Sequence, residues 1–169
     1  NMTDKLEIVN AALAATGVSP VSTYDSQHPD VAPVDAVMRR VTKQVQKRGY
    51  WFNKDYSLTL TADSNGKVLI PTNTLKVDPS DRRLPYVQRG KFLYDPVAHT
   101  FAIGVSVDVD IVFQLEIEDL PESAGMYILE RTVYEFYVND DGDAGKAQAI
   151  SQRKDAAWIE LKADELENA

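Results

Sequence analysis

The sequence predicts an α+β fold: a four-helix, bundle-like domain with an antiparallel β unit inserted between its second and third helices. Three observations lead there. Apolar residues recur at helical spacing from Leu6 to Val45 and again from Met126 to Leu161. Between these blocks the period falls to two, and Pro, Gly and Asn punctuation separates the short runs. The expected domains are residues 1–53 with 119–169, helical, and residues 54–118, antiparallel β.

The first helix is expected over DKLEIVNAALAATG, with Leu6, Val9 and Leu13 on one face, Thr3 or Asp4 as N-cap and Gly17 as stop. VSPVSTYDSQHPD then reads as a loop leading to a second helix start between Asp30 and Val34. In VDAVMRRVTKQVQKRG, Val34, Val37, Met38, Val41 and Val45 share one arc, and Arg39, Arg40, Lys43 and Lys47 share the opposite one. Lys47 and Arg48 suit the negative end of a helix dipole, and Gly49 suits a left-handed stop.

Three aromatic residues follow at once. On an extended chain Tyr50 and Phe52 point to one side and Trp51 to the other, so both sides of that segment need cover. The three rings are expected to form the joint between the helical domain and the β unit. YSLTLTAD, the turn Asn65-Gly66 and KVLIP then read as a strand, hairpin turn and strand. LKVDP, LPYVQRGKFLYDP, HTFAI and VDVDIVFQLEI extend the β pattern. After Leu120-Pro121 the stripe Met126, Leu129, Val133 and Phe136 marks the third helix. Asp143 is placed to cap a fourth, whose apolar face is Ala147, Ile150, Ala157, Trp158 and Leu161. With these faces buried, no long apolar stripe is expected to remain exposed, so the free protein is expected to be monomeric or weakly associating.

A chain of 169 residues with 44% hydrophobic content is long enough to bury a core. Its apolar runs are only a few residues long, against roughly 20 for a membrane-spanning helix, and no membrane partner is expected. With no cysteine there is neither a disulfide nor a thiolate metal site. The formal charge of −8 argues against general nucleic-acid binding, which draws on a positive field.

Motifs that carry chemistry are few. His28-Pro29-Asp30 spells the tripeptide of J-domain co-chaperones, but there it follows a basic helix and here it precedes one. Asn139-Asp140-Asp141-Gly142-Asp143 resembles part of a calcium loop, yet the bidentate Glu that an EF-hand needs is replaced by Gln148. Asp108 and Asp110 share a strand face, and Glu116, Glu118 and Asp119 cluster near its end. A carboxylate pair at the right separation is enough for glycoside hydrolysis, while alternating Asp and Val is also the ordinary pattern of a half-exposed strand. GxSxG, HExxH, Walker A and GxGxxG patterns are absent from the sequence. No catalytic, cofactor-binding or metal-binding residue is therefore assigned.

The order of the pieces is more informative than any one of them. A helix ending in GVSPVST, a second through RRVTKQVQKRGYWFN, a β unit containing VQRGKFLYD, then LPESAGMYILERTVYEF resembles the tail tubular protein A family of short-tailed phages. The likeness runs from about Leu6 to Leu166, and is sharpest at Gln44 with Arg48 to Asn53 and at Arg89 to Asp95. It implies a virion protein, the adaptor between portal and tail nozzle. It further implies assembly as a dodecameric ring through the helical domain, with DNA passing through the channel without specific binding. Assembly would take place in the host cytoplasm.

Two other readings stand beside it. One is a carbohydrate-active tail protein that binds or cleaves polysaccharide through a carboxylate pair; neither Trp51 at the joint nor Trp158 on an apolar face is placed for sugar stacking. The other is an unrelated protein-interaction module. Because no acid interrupts the run from Ala36 to Arg48, the basic face of the second helix is expected to lack intrahelical partners. Arg39, Arg40, Lys43 and Lys47 are accordingly the expected interface with an adjacent subunit or the portal.

Overall fold

The computed structural model describes residues 2–140 and 142–169. It contains four helices: α1 (Lys5–Ala15), α2 (Val31–Lys47), α3 (Glu122–Asn139) and α4 (Ala144–Asn168). Five strands lie between α2 and α3: β1 (Lys54–Leu60), β2 (Thr74–Pro79), β3 (Val87–Arg89), β4 (Phe92–Tyr94) and β5 (Val107–Phe113). The fold is α+β, with the antiparallel strands inserted between the second and third helices. The chain divides into two compact units, residues 1–45 with 115–169, and residues 46–114.

In the helical unit, Asp4 caps α1, its carboxylate accepting from the Glu7 N–H at 2.8 Å. The helix closes with paired bonds, Val18 N–H to Leu13 O and Gly17 N–H to Ala14 O, which require the left-handed Gly17 at φ +76°. Ile8, Val9, Ala12 and Leu13 are buried, and α1 and α4 both pack on α3. Gly125 lets α3 pass close to Thr3, whose Cβ lies 2.8 Å from where a Gly125 side chain would begin. The buried stripe of α3 is Ala124, Gly125, Ile128, Leu129, Thr132, Val133 and Tyr137. Met126 and Phe136, expected in that stripe, are only half-buried at its edges. The register differs because α3 packs against α1 and α4 at once, so its buried arc is wider than one stripe.

The insertion is built on a three-stranded sheet in the order β1-β5-β2, antiparallel throughout, with a separate β3-β4 hairpin. Val107, Val109 and Ile111 of β5 point into a core with Leu60, Val68, Ile70, Val77 and Leu93. The turn at Asn65-Gly66 forms, pinned by Asp63, which accepts from the Asn65 and Lys67 N–H groups. KVLIP, however, is not the ladder partner of β1. It makes isolated bridges to Ala62, Phe92 and Ala102, and β1 pairs with β5 about fifty residues further along the chain. HTFAI also forms a turn with single bridges in place of a strand.

Candidate functional site

Helix α2 carries the basic face on a well-anchored frame, with Val34, Val37, Met38, Val41 and Val45 buried opposite it. Arg39, Arg40, Lys43 and Lys47 are all exposed. The expectation that this face lacks intrahelical partners is overturned at Arg39, and Arg40 pairs with a different helix. Asp35, one turn before the cationic run and itself buried, accepts from Arg39 Nε at 2.8 Å and also from the Tyr24 hydroxyl. Arg40 reaches Glu135 of α3 at 3.0 Å, and Glu135 is shared with Arg131, which in turn donates to Gln44. Both partners lie outside the acid-free run from Ala36 to Arg48. Lys43 and Lys47, one turn apart, form no ion pair among the described residues.

Following α2, the segment 50–53 is a turn and not an extended strand: the Asn53 N–H donates to Tyr50 O at 3.2 Å. Tyr50 stacks on Phe52 with ring centres 5.3 Å apart, and Trp51 meets Phe52 edge-on at 5.0 Å. Tyr50 is buried, and Trp51 and Phe52 are half-buried. The turn folds over the end of β5. A side chain on Gly49 would begin 3.0 Å from Val112 Cγ2, and Phe113 donates to the Asn53 carbonyl at 2.8 Å.

Four of the five carboxylates noted in the sequence, Asp108, Asp110, Glu116 and Glu118, are engaged in hydrogen bonds and ion pairs. Asp108 accepts from the Thr59 hydroxyl at 2.6 Å. Asp110 accepts from the Ser80 hydroxyl, the Ser57 N–H and Arg82 at 2.8, 3.2 and 3.1 Å. The Ser80 bond is the main influence holding the Asp110 carboxyl below the ordinary range; burial opposes it, and Ser57 and Arg82 reinforce it. Glu116 and Glu118 both grip Lys5, at 2.8 and 3.0 Å. Burial pushes Glu118 up, but its own backbone N–H and Lys5 outweigh that and leave it lowered. A glycosidase acid needs the opposite, a raised carboxyl.

His28 serves the start of α2: its Nδ1 accepts from the Asp30 N–H at 3.1 Å, and its carbonyl accepts from Ala32. Asp143 caps α4, accepting from the Lys146 N–H at 2.9 Å. Asp141, in the calcium-like run, lies outside the described residues. Among the described residues no group of three His, Asp or Glu is arranged to hold a metal. A groove of about 580 Å³ between α3 and α4 is lined by Glu122, Met126, Glu130, Arg153, Glu160 and Asp164, with Glu130 and Arg153 already paired at 3.1 Å.

The described residues thus form a helical frame with an inserted β unit, with charged helix faces exposed and several acids tied into structural bonds. The sequence matches the family model of the tail tubular proteins over residues 6–169. It is also 31% identical over 139 residues to tail tubular protein A of Klebsiella phage KP34, covering 82% of this chain and 74% of the relative. The chain belongs to the tail tubular protein family and is a structural component of a phage tail.

Proposed function

We propose that this protein is the adaptor between the portal and the tail nozzle, assembling as a dodecameric ring around the channel through which DNA leaves the head. The observation that carries the reading is the extent of the family match, which runs through all four helices and the inserted β unit. Lys43 and Lys47 are the groups best suited to meet acidic residues of a neighbouring subunit or of the portal. They are exposed, stand on a helix whose other face is buried, and have no ion-pair partner among the described residues. Rim ion pairs contribute about 0–1 kcal/mol each, and act chiefly on register and association rate. A formal charge of −8 suits a conduit wall that does not retain DNA phosphates. Assembly takes place in the host cytoplasm before the tail is complete.

Electron microscopy of the protein mixed with its portal tests the reading: rings seated on the portal are expected, and their absence overturns the adaptor role. Lys43→Glu with Lys47→Glu is expected to reduce assembly at low salt while circular dichroism stays that of wild type. Undiminished assembly would remove α2 from the contact.

A further inference from the structure

Helix α4 has a second apolar line that the fold does not use. Ile159 and Leu166 are 65% and 82% exposed, on a helix whose other face is buried through Ile150 and Leu161. They belong to a seam with alternating steps of four and three residues: Ala149, Gln152, Ala156, Ile159, Ala163 and Leu166, every one exposed. That is the spacing of a helix that packs along another helix. Over its 25 residues α4 is about 37 Å long.

We propose that this seam binds a second copy of the chain, the two α4 helices lying antiparallel about a two-fold axis level with the junction of Ala157 and Trp158. In that register each large residue meets a small one: Leu166 faces Ala149 of the other copy, Ile159 faces Ala156, and Gln152 faces Ala163. Alternation of large and small lets the two backbones approach closely. The flanking positions agree independently. On one side of the seam Lys146 meets Glu167 and Arg153 meets Glu160; on the other Asp155 meets Lys162. Every charged flanking position thus faces its opposite, whereas a parallel arrangement would set Asp155 against Glu160. Lys146 and Arg153 keep the bonds they make to Ala15 and Glu130, since each has further N–H groups to offer.

A contact of one helix from each copy falls in the small, transient class of interface, so weak and reversible association is expected. A two-fold contact closes at two copies, so the pair is a state of the free protein and not the repeating contact of a ring. It does not depend on the portal, and its failure would leave the adaptor reading untouched.

Sedimentation equilibrium from micromolar to several hundred micromolar is the direct test, with a monomer–dimer equilibrium expected. Ile159→Asp with Leu166→Asp should leave monomer throughout, with an unchanged circular dichroism spectrum because both sites are exposed. Asp155→Lys and Lys162→Asp should each weaken the pair by about tenfold or more, and the double swap should restore it. Orientation is read from single cysteines placed in this cysteine-free chain. Under oxidation, Gln152→Cys mixed with Ala163→Cys should give the mixed cross-link. Monomer at all concentrations, a dimer indifferent to the two aspartates, or same-site cross-links in place of the mixed one would each overturn the proposal.

Discussion

The side-chain amide of Asn53 donates to the Gln46 carbonyl at 2.8 Å, across the turn that ends α2. The same amide group donates to Phe113 O at 2.9 Å, and its oxygen accepts from the Tyr50 N–H at 2.8 Å. Asn53 is 2% exposed, so these three backbone groups have no ready substitute in water. It ties a helix end, an aromatic turn and the last residue of β5 to a single side chain.

Asn53→Ala is therefore expected to destabilise the protein by about 2–4 kcal/mol, since several buried polar groups lose partners together. Asn53→Asp keeps the shape but turns an acceptor toward two carbonyls, and should cost at least as much. Urea unfolding checks both; an Asp variant as stable as wild type would show that the amide bonds contribute little.

Gly49 and Gly17 provide an internal comparison. Both have positive φ, at +81° and +76°, but a Gly49 side chain meets Val112 whereas a Gly17 side chain meets open space. Gly17→Ala is expected to cost about 1–2 kcal/mol for the left-handed backbone alone, and Gly49→Ala measurably more. Equal losses by thermal unfolding would mean that Val112 gives way without cost.

The acid side of the stability profile follows from Asp110 and Glu118. Both carboxyls are held below their ordinary values, so their contribution is complete above the unfolded-chain carboxylate range and is lost as pH falls through the lower folded values. Lys5 works in the opposite direction. Burial lowers it, Glu116 and Glu118 raise it further, and its contribution is complete below 10.5 and lost as pH climbs through the higher folded value. Asp110→Asn should cost roughly 1–3 kcal/mol at neutral pH. The gap to wild type should close as pH drops below about 4, in melting curves recorded from pH 7 to pH 3. Parallel curves would assign the loss to packing and not to charge.

Trp51 is half-buried, so Trp51→Ala is expected to fall short of the roughly 3–5 kcal/mol of a fully buried ring. A thermal shift with portal assembly retained would place the ring in the fold. Wild-type stability with assembly lost would make Trp51 a contact residue.

The order of the helices, the place of the β unit between the second and third, the Asp4 and Asp143 caps, the Gly17 and Gly49 stops and the buried arc of α2 were all legible from sequence, because each depends on neighbours within a turn or two. Order and wording along the chain also pointed to the family. Pairing across long separations was not legible. β1 takes β5 as its partner and not the adjacent KVLIP, because β5 brings three apolar residues to one core face, and an alternating pattern does not name its partner. The same limit hid Glu135 from Arg40, 95 residues away. Asp35 stands one residue before the acid-free run, a single turn from Arg39, so that pair was legible in the spacing. On α4, two apolar lines share one helix, and their spacing was already present in the sequence. Only packing decides which line is used: α3 covers Ile150 and Leu161 and leaves Ile159 and Leu166 to solvent. Local periodicity fixes which residues share a face, but burial depends on what the rest of the chain brings to that face.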